Sequence, residues 1–175
     1  MNKIFIAFFA TLILIGGCTS TPMTVDTNNI ANLTDEPAIR FNTSGWSYTN
    51  TTNPFLLTPD LLTNSLLAVS RLKPGQHFPN DGPAVPNKLN QNAITALLKN
   101  KLASKENLVV SIDTINEKPV VVATYSEDGK KVTEYATELN GDLIHVLFMA
   151  IPGQYYQQGI IVANRLVGSI EPITK

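Results

Sequence analysis

The chain has 175 residues, of which 43% are hydrophobic and only 15% charged, with 13 Lys and Arg against 14 Asp and Glu. That length and apolar content suit one ordinary domain with its own core. The near balance of charge and the lack of a basic stripe exclude nucleic acid as an expected partner, and no acidic block suggests a cation store.

Lys3 is followed by an apolar stretch, Ile4 to Ile15, and then by Gly16-Gly17-Cys18. A helix of about a dozen residues reaches roughly 18 Å, well short of a hydrocarbon core of roughly 30 Å. The stretch therefore reads as a signal h-region and not as a membrane span. Leu14-Ile15-Gly16-Gly17-Cys18 has the pattern of a bacterial lipobox, whose small residues let an extended chain enter a peptidase groove. Residues 1–18 are read as a lipoprotein signal peptide, with Cys18 taking a diacylglyceryl group and becoming the mature N-terminus. Each buried CH₂ contributes about 0.8 kcal/mol, so two or three acyl chains hold a domain at a membrane. Bacterial lipoproteins kept at the inner membrane often carry Asp after the cysteine. Thr19 stands there instead, which favours the outer membrane, facing the periplasm. Cys18 is the only cysteine, so stability must come from packing and not from disulfides.

Residues 19–36 are rich in Thr, Asn, Asp and Pro and poor in large apolar groups. They read as a flexible tether, because they bury too little to offset their ordering entropy. The sequons at Asn32, Asn42 and Asn50 are read as chance. Residues 37–175 are expected to form a single domain. Ala38–Phe41 is a strand candidate, Asn42–Gly45 a turn, and Trp46-Ser47-Tyr48 a second strand. Pro54 and Pro59 interrupt the next stretch, and Phe55–Leu62 receives no assignment. Leu66–Ser70 is the next strand candidate. Residues 73–87 carry Pro74, Gly75, Pro79, Gly82, Pro83 and Pro86, so neither a helix nor a central strand runs through them. A loop of this length is either functional or disordered.

Lys88–Ser104 reads as a helix with Leu89, Ala93, Ile94, Leu97, Leu98 and Leu102 on one stripe and Asn87 as N-cap. Four strands come after it: Leu108–Ile115, Val120–Tyr125, Val132–Leu139 and Leu143–Ile151. Their short connections contain Asn116-Glu117, Asp128-Gly129 and Asn140-Gly141, which implies an antiparallel meander. Leu143–Ile151 is apolar on both faces, so it should lie under cover on both. Glu134 and Glu138 should make Val132–Leu139 wetter. Gln154–Ile170 reads as a closing helix with Ile160, Ala163, Val167 and Ile170 inward, stopped by Pro172.

This order of elements, the lipobox, and Ala163-Asn164 followed by Ser169-Ile170 resemble DcrB-like bacterial lipoproteins, which share the fold of the PsbP extrinsic proteins of photosystem II. The resemblance covers residues 37–174. It implies an α+β fold, an antiparallel meander sheet with helices packed on both faces. It also implies a binding or assembly module and not an enzyme.

The search for chemistry yields little. His77 lies in the Pro-rich loop and His145 in the most apolar strand, too few ligands for a metal site. His145 is read as a core residue with a local hydrogen bond. No Gly-x-Ser-x-Gly elbow and no phosphate loop is present. Asp113, Glu117, Glu127 and Asp128 flank hairpin turns, where acids are common. Trp46, Tyr48 and Phe55 read as core in preference to an exposed patch. Tyr155 and Tyr156 either frame a groove or cover the core edge. No catalytic, cofactor-binding or metal-binding residue is expected, and the one site residue is Cys18, for lipidation. The expected partners are the membrane, through that lipid, and an envelope protein. The alternative is a small-ligand or glycan-binding lipoprotein using residues 73–87 as a lid.

Overall fold

The computed structural model describes residues 24–25, 30–33, 39–50, 54–59, 65–79 and 82–172. The signal peptide and Cys18 lie outside the described residues. The strands are β1 (Thr24–Val25), β2 (Ile30–Leu33), β3 (Ile39–Asn42), β4 (Trp46–Asn50), β5 (Phe55–Pro59) and β6 (Ser65–Leu72), followed by helix α1 (Gln91–Lys101). Then come β7 (Glu106–Ile115), β8 (Lys118–Glu127), β9 (Lys130–Leu139), β10 (Asp142–Ala150), helix α2 (Gln154–Ser169) and β11 (Glu171–Pro172). A seven-stranded sheet has the order β4-β5-β6-β10-β9-β8-β7, antiparallel throughout, and a small sheet has the order β1-β2-β3-β11.

The meander forms where its turns predict it. Asn116-Glu117, Asp128-Gly129 and Asn140-Gly141 all take positive φ at both positions, the geometry that matches the twist of two flanking strands. Because the last strand of the meander pairs back with β6, β10 becomes the middle strand of the sheet. Its even-numbered residues Ile144, Val146, Phe148 and Ala150 belong to a core on the side of α2. Its odd-numbered Leu143, Leu147 and Met149 belong to a second core on the side of α1. The helices therefore cover opposite faces, as the two-sided apolar strand requires.

Several boundaries differ from the sequence reading. β1 and β2 fall inside the stretch read as a tether, and Ala31 is fully buried in the α2-side core with Phe41. Ile30–Leu33 gains partners by pairing with β3, which composition alone does not reveal. Phe55–Pro59 is a strand because Pro54 precedes it and Pro59 ends it, where the missing N–H does no harm. The N-cap of α1 is Asn90, not Asn87. The Asn90 backbone is extended, and its Oδ1 accepts from the Ala93 N–H at 2.9 Å. β9 is not wet along its middle: Val132 to Ala136 are all buried, Glu134 completely, and exposure is confined to Lys131 and Glu138 near the two ends.

α2 crosses the sheet directly above Phe148, and the contact depends on Gly159. A Cβ at that position would stand 2.3 Å from Cζ of Phe148. The ring has little room to yield, since it is fully buried and packed against Trp46 and Tyr156 with centroids 6.5 and 5.9 Å away. Gly159→Ala should lower stability by about 1–3 kcal/mol through overpacking, even though Ala favours a helix interior by about 1 kcal/mol. Adding Phe148→Leu should return part of that loss. Urea titration of both variants checks this, and a Gly159→Ala protein as stable as the parent would show that α2 does not sit so close.

Candidate functional site

The described part of residues 73–87 is folded. The Gly75 N–H donates to the Val85 carbonyl at 2.8 Å, the Val85 N–H to Gln76 at 2.9 Å, and the Phe78 N–H to Pro83 at 3.2 Å. A bridge joins His77 to Ala84, and His77 Nδ1 lies 2.9 Å from the Gly82 carbonyl. The result is a flap whose Phe78 and Val85 are buried in the α1-side core.

Beneath the flap lies a cluster of charged and polar groups. Lys101 Nζ, on the last turn of α1, donates to both carboxylate oxygens of Glu134 at 2.7 Å. The Tyr125 hydroxyl donates to Oε1 at 2.8 Å, and His145 Nε2 lies 2.7 Å from Oε2. Phe78 closes the cluster, edge-on to the His145 ring at 5.1 Å and 5.0 Å beneath the Lys101 ammonium. The four groups come from α1, β8, β9 and β10, and each faces the α1 side because its strand register puts it there.

Burial alone pushes the Glu134 carboxyl up, but His145 and Lys101 outweigh it and hold it far below the usual carboxylate range. Burial is the leading influence on His145 and keeps the imidazole below its ordinary value despite the carboxylate. His145 is thus neutral at pH 7. It gives Glu134 a hydrogen bond, and Lys101 gives it the balancing charge. Burial, followed by the Glu134 charge, keeps the Tyr125 hydroxyl protonated. Glu134 is completely buried with donors on both oxygens, and only Lys101 reaches solvent, at 19% side-chain exposure. Both oxygens of Glu134 are occupied within the fold, so the arrangement holds α1 and the flap to the sheet. Two further pairs brace the sheet: Arg71 to Asp142 at 2.6 Å, both buried, and Lys105 to Glu127.

The residues singled out from the sequence fall apart from one another. His145 is a core residue with a hydrogen bond, as read. Trp46 and Phe55 are buried, whereas the Tyr48 side chain is outside the described set. Tyr156 is buried with its hydroxyl against Thr133 and Lys131 over its ring, and Tyr155 is exposed. Asp113, Glu117 and Asp128 are exposed, but Glu127 meets Lys105. The Lys101–Glu134 pair went unread, because a helix end and a strand 33 residues later give no local signal of contact.

Among the described residues, two surface grooves stand out. One of about 430 Å³ is lined by Leu89, Ile94, Val121, Ala136, Leu139 and Ile170, among others. Another of about 410 Å³ is lined by Arg40, Asn42, Asn116, Lys118, Ser169 and Glu171 among others. Neither includes Lys101, Glu134, His145 or any residue of 73–87. Apolar side chains are also exposed on α2, with Ile161 at 60%, and on β7, an edge strand of the sheet, where Val109 is 60% and Ile112 53% exposed. Among the described residues no helix is long and apolar enough to cross a membrane, and no three or more His, Cys, Asp or Glu side chains group as metal ligands.

No protein-family profile matches the chain, and no curated protein matches it significantly in sequence. Solved structures do. A protein of Bacteroides thetaiotaomicron VPI-5482 is similar with a TM-score of 0.53 and 14% identity, over 78% of this chain and 46% of that one. This chain thus spans less than half of that relative. It is also similar to the PsbP protein CyanoP of Synechocystis sp. PCC 6803, with a TM-score of 0.45 and 10% identity over 91% and 97% of the two chains. A third is LpqN, involved in cell envelope biogenesis of Mycobacterium tuberculosis, with a TM-score of 0.36 and 11% identity over 90% and 87%. At these identities the likeness is one of fold.

Removing Lys101 strands a buried carboxylate. Lys101→Met should cost about 3–5 kcal/mol, and Lys101→Met with Glu134→Gln should restore much of it, because the amide needs no counter-charge. A double-mutant cycle by chemical denaturation reads the coupling; additive effects would mean the pair is not formed in solution.

His145 makes the fold sensitive to acid. Its folded value is depressed, so below about pH 6.5 the unfolded chain takes up a proton that the folded one refuses. Stability is therefore full above that pH and falls below it, by at most about 1.4 kcal/mol per pH unit for one group. Glu134 adds a loss of the same sign below about pH 4.3, the ordinary Glu value. His145→Gln should flatten the fall between pH 7 and 5 while leaving the more acidic part. An unchanged profile would place the titration elsewhere.

Proposed function

We propose that this chain is a lipid-anchored protein of the bacterial cell envelope, held through Cys18 at the outer membrane facing the periplasm. It acts there by binding another envelope protein, without catalysing a reaction. The observation that carries the reading is the sequence Leu14-Ile15-Gly16-Gly17-Cys18 directly after a charged start and a short apolar run. The domain supports it in one respect: its densest cluster of ionisable groups, around Glu134, is covered by Phe78 and spent on internal hydrogen bonds. A lid over a small-ligand or glycan pocket finds less support, since the flap packs onto the core and lines neither groove.

Replacing Cys18 with Ser tests the anchor. The variant should lose acyl label and appear in the soluble periplasm at normal stability. If it stays with membranes after a high-salt wash although its signal is cleaved, the lipid is not what holds it. Binding is tested by photo-crosslinkers placed over the surface of the anchored protein in intact cells. A single partner crosslinked from neighbouring positions is expected, and silence at every position would end the binding reading.

A further inference from the structure

We propose that β7 is a docking edge, and that its occupant is an extended basic segment of a partner protein that joins the sheet beyond β7 as an added strand. This deepens the binding reading above and rests on it. Along an edge strand every second residue turns its N–H and C=O away from the sheet, and such a row templates another strand unless something blunts it.

The usual protections are short length, Lys or Pro on the edge, bulges, and covering elements. β7 lacks most of them, although the outward N–H of Thr114 is capped by Asp113 Oδ1 at 2.7 Å, which leaves the row open at Val110 and Ile112. Its sequence, Glu-Asn-Leu-Val-Val-Ser-Ile-Asp-Thr-Ile, contains no Lys, Arg or Pro. Its one irregularity lies between Glu106 and Val109, where Asn107 has φ 55. From Val109 to Ile115 the register with β8 is unbroken. The opposite edge, β4, is half as long, with 5 residues against 10, and is itself irregular between Tyr48 and Asn50.

The side chains add specificity. Val109 and Ile112 are more than half exposed. An odd and an even position point to opposite faces, so an added strand would find an apolar contact on each side. The charge chooses the partner. Glu106, Asp113 and the hairpin residue Glu117 are exposed along this edge, and β7 itself carries no cation. Of the adjacent cations, Lys105 is neutralised by Glu127, and Lys118 reaches the carbonyls of Gly168 and Ile170 at 3.4 and 2.6 Å, so three acids face one uncompensated cation along this edge. A second copy would bring one acidic edge against another, which opposes self-pairing, whereas a segment alternating Lys or Arg with Val or Ile is matched in both charge and pleat. Main-chain bonds would supply affinity and the alternate side chains selectivity.

The test uses the full chain in detergent and a peptide of about eight residues, a typical strand length, with Lys and Val alternating. Binding is read by fluorescence anisotropy, and β7 by amide hydrogen exchange. The peptide should bind and slow exchange at the outward amides of Val110 and Ile112, the Thr114 N–H being held by Asp113 already. Ile112→Lys and Asp113→Lys should each weaken it about tenfold or more, at unchanged melting temperature since both sites are exposed. The same peptide with Glu in place of Lys should bind the parent at least about tenfold less well and the Asp113→Lys chain better. Unchanged β7 exchange, or equal binding of both peptides, overturns the proposal. So does a concentration-dependent dimer that protects β7, which would make the occupant a second copy. In cells, crosslinks that retrieve a partner from other positions but never from Ile112 would discard the edge and leave the binding reading intact. Silence everywhere removes both.

Discussion

β10 is paired on both edges and buried on both faces, and most of the architecture is a consequence of that. Leu143, Ile144, Val146 and Phe148 are each exposed by 1% or less. Burying side chains of this kind contributes about 1.5–3 kcal/mol apiece. Such a strand cannot face water, so one helix must lie above it and another below. The chain meets this demand in order. α1 is laid down before the meander, α2 after it, and β6 closes the side of β10 that β9 leaves open.

A histidine in such a strand must be neutral and must find a partner. The cross-strand neighbours of His145 are Ala136 on β9 and Ser70 on β6, and the group that reaches it is Glu134, two residues along β9 on the same face. Glu134 in turn demands a cation, and Lys101 meets it in only one placement of the last turn of α1. Buried ion pairs are poor sources of net stability, because desolvation offsets much of the attraction. What this one supplies is registry. An apolar helix stripe can slide on an apolar sheet with little penalty, but a lysine that must sit 2.7 Å from both oxygens of one carboxylate cannot. The flap inherits that registry, since Phe78 packs against both His145 and Lys101.

The sequence was most legible where local chemistry and period agree. Asp128-Gly129 and Asn140-Gly141 pair residue types that favour positive φ, the connection at Asn116 is short and turn-rich, and each of the three forms a hairpin. Leu143–Ile151 announces two-sided cover by being apolar at odd and even positions alike. It was least legible where a contact partner lies far along the chain. Ile30–Leu33 is too short, and set in too polar a stretch, to declare itself a strand until β3 pairs with it. Glu134 looks like one of two acids on a wet face, and nothing within ten residues of it says that Lys101 and His145 will enclose it. The prolines and glycines of residues 73–87 exclude regular structure correctly, but they do not show that Phe78 and Val85 will be anchored, because a loop's buried anchors have no period. The edge role of β7 was hidden for a related reason. A strand's residues reveal its faces through their alternation, but its position in the sheet depends on which strand pairs with β10, and that is β6.

The same logic separates the covered charge of the α1 face from the open edge at β7. Where the fold gathers charge on the α1 face it also covers it, so the Glu134 cluster acts inward and constrains the chain itself. Where the sheet ends at β7 the backbone is left outward, and the acids there have no cation of their own strand to meet. An unblunted apolar edge invites self-association. Like charge along the edge counters it without closing the edge to others. Lysines at Val109 and Ile112 would protect such a strand against every partner of either sign by placing a desolvated cation on each face. Glu106, Asp113 and Glu117 instead repel acidic strands, including those of other copies, and leave the hydrogen-bonding row usable by a basic one. The charge thus opposes strands of like sign only, whereas general protection against aggregation would have to act against strands of either sign.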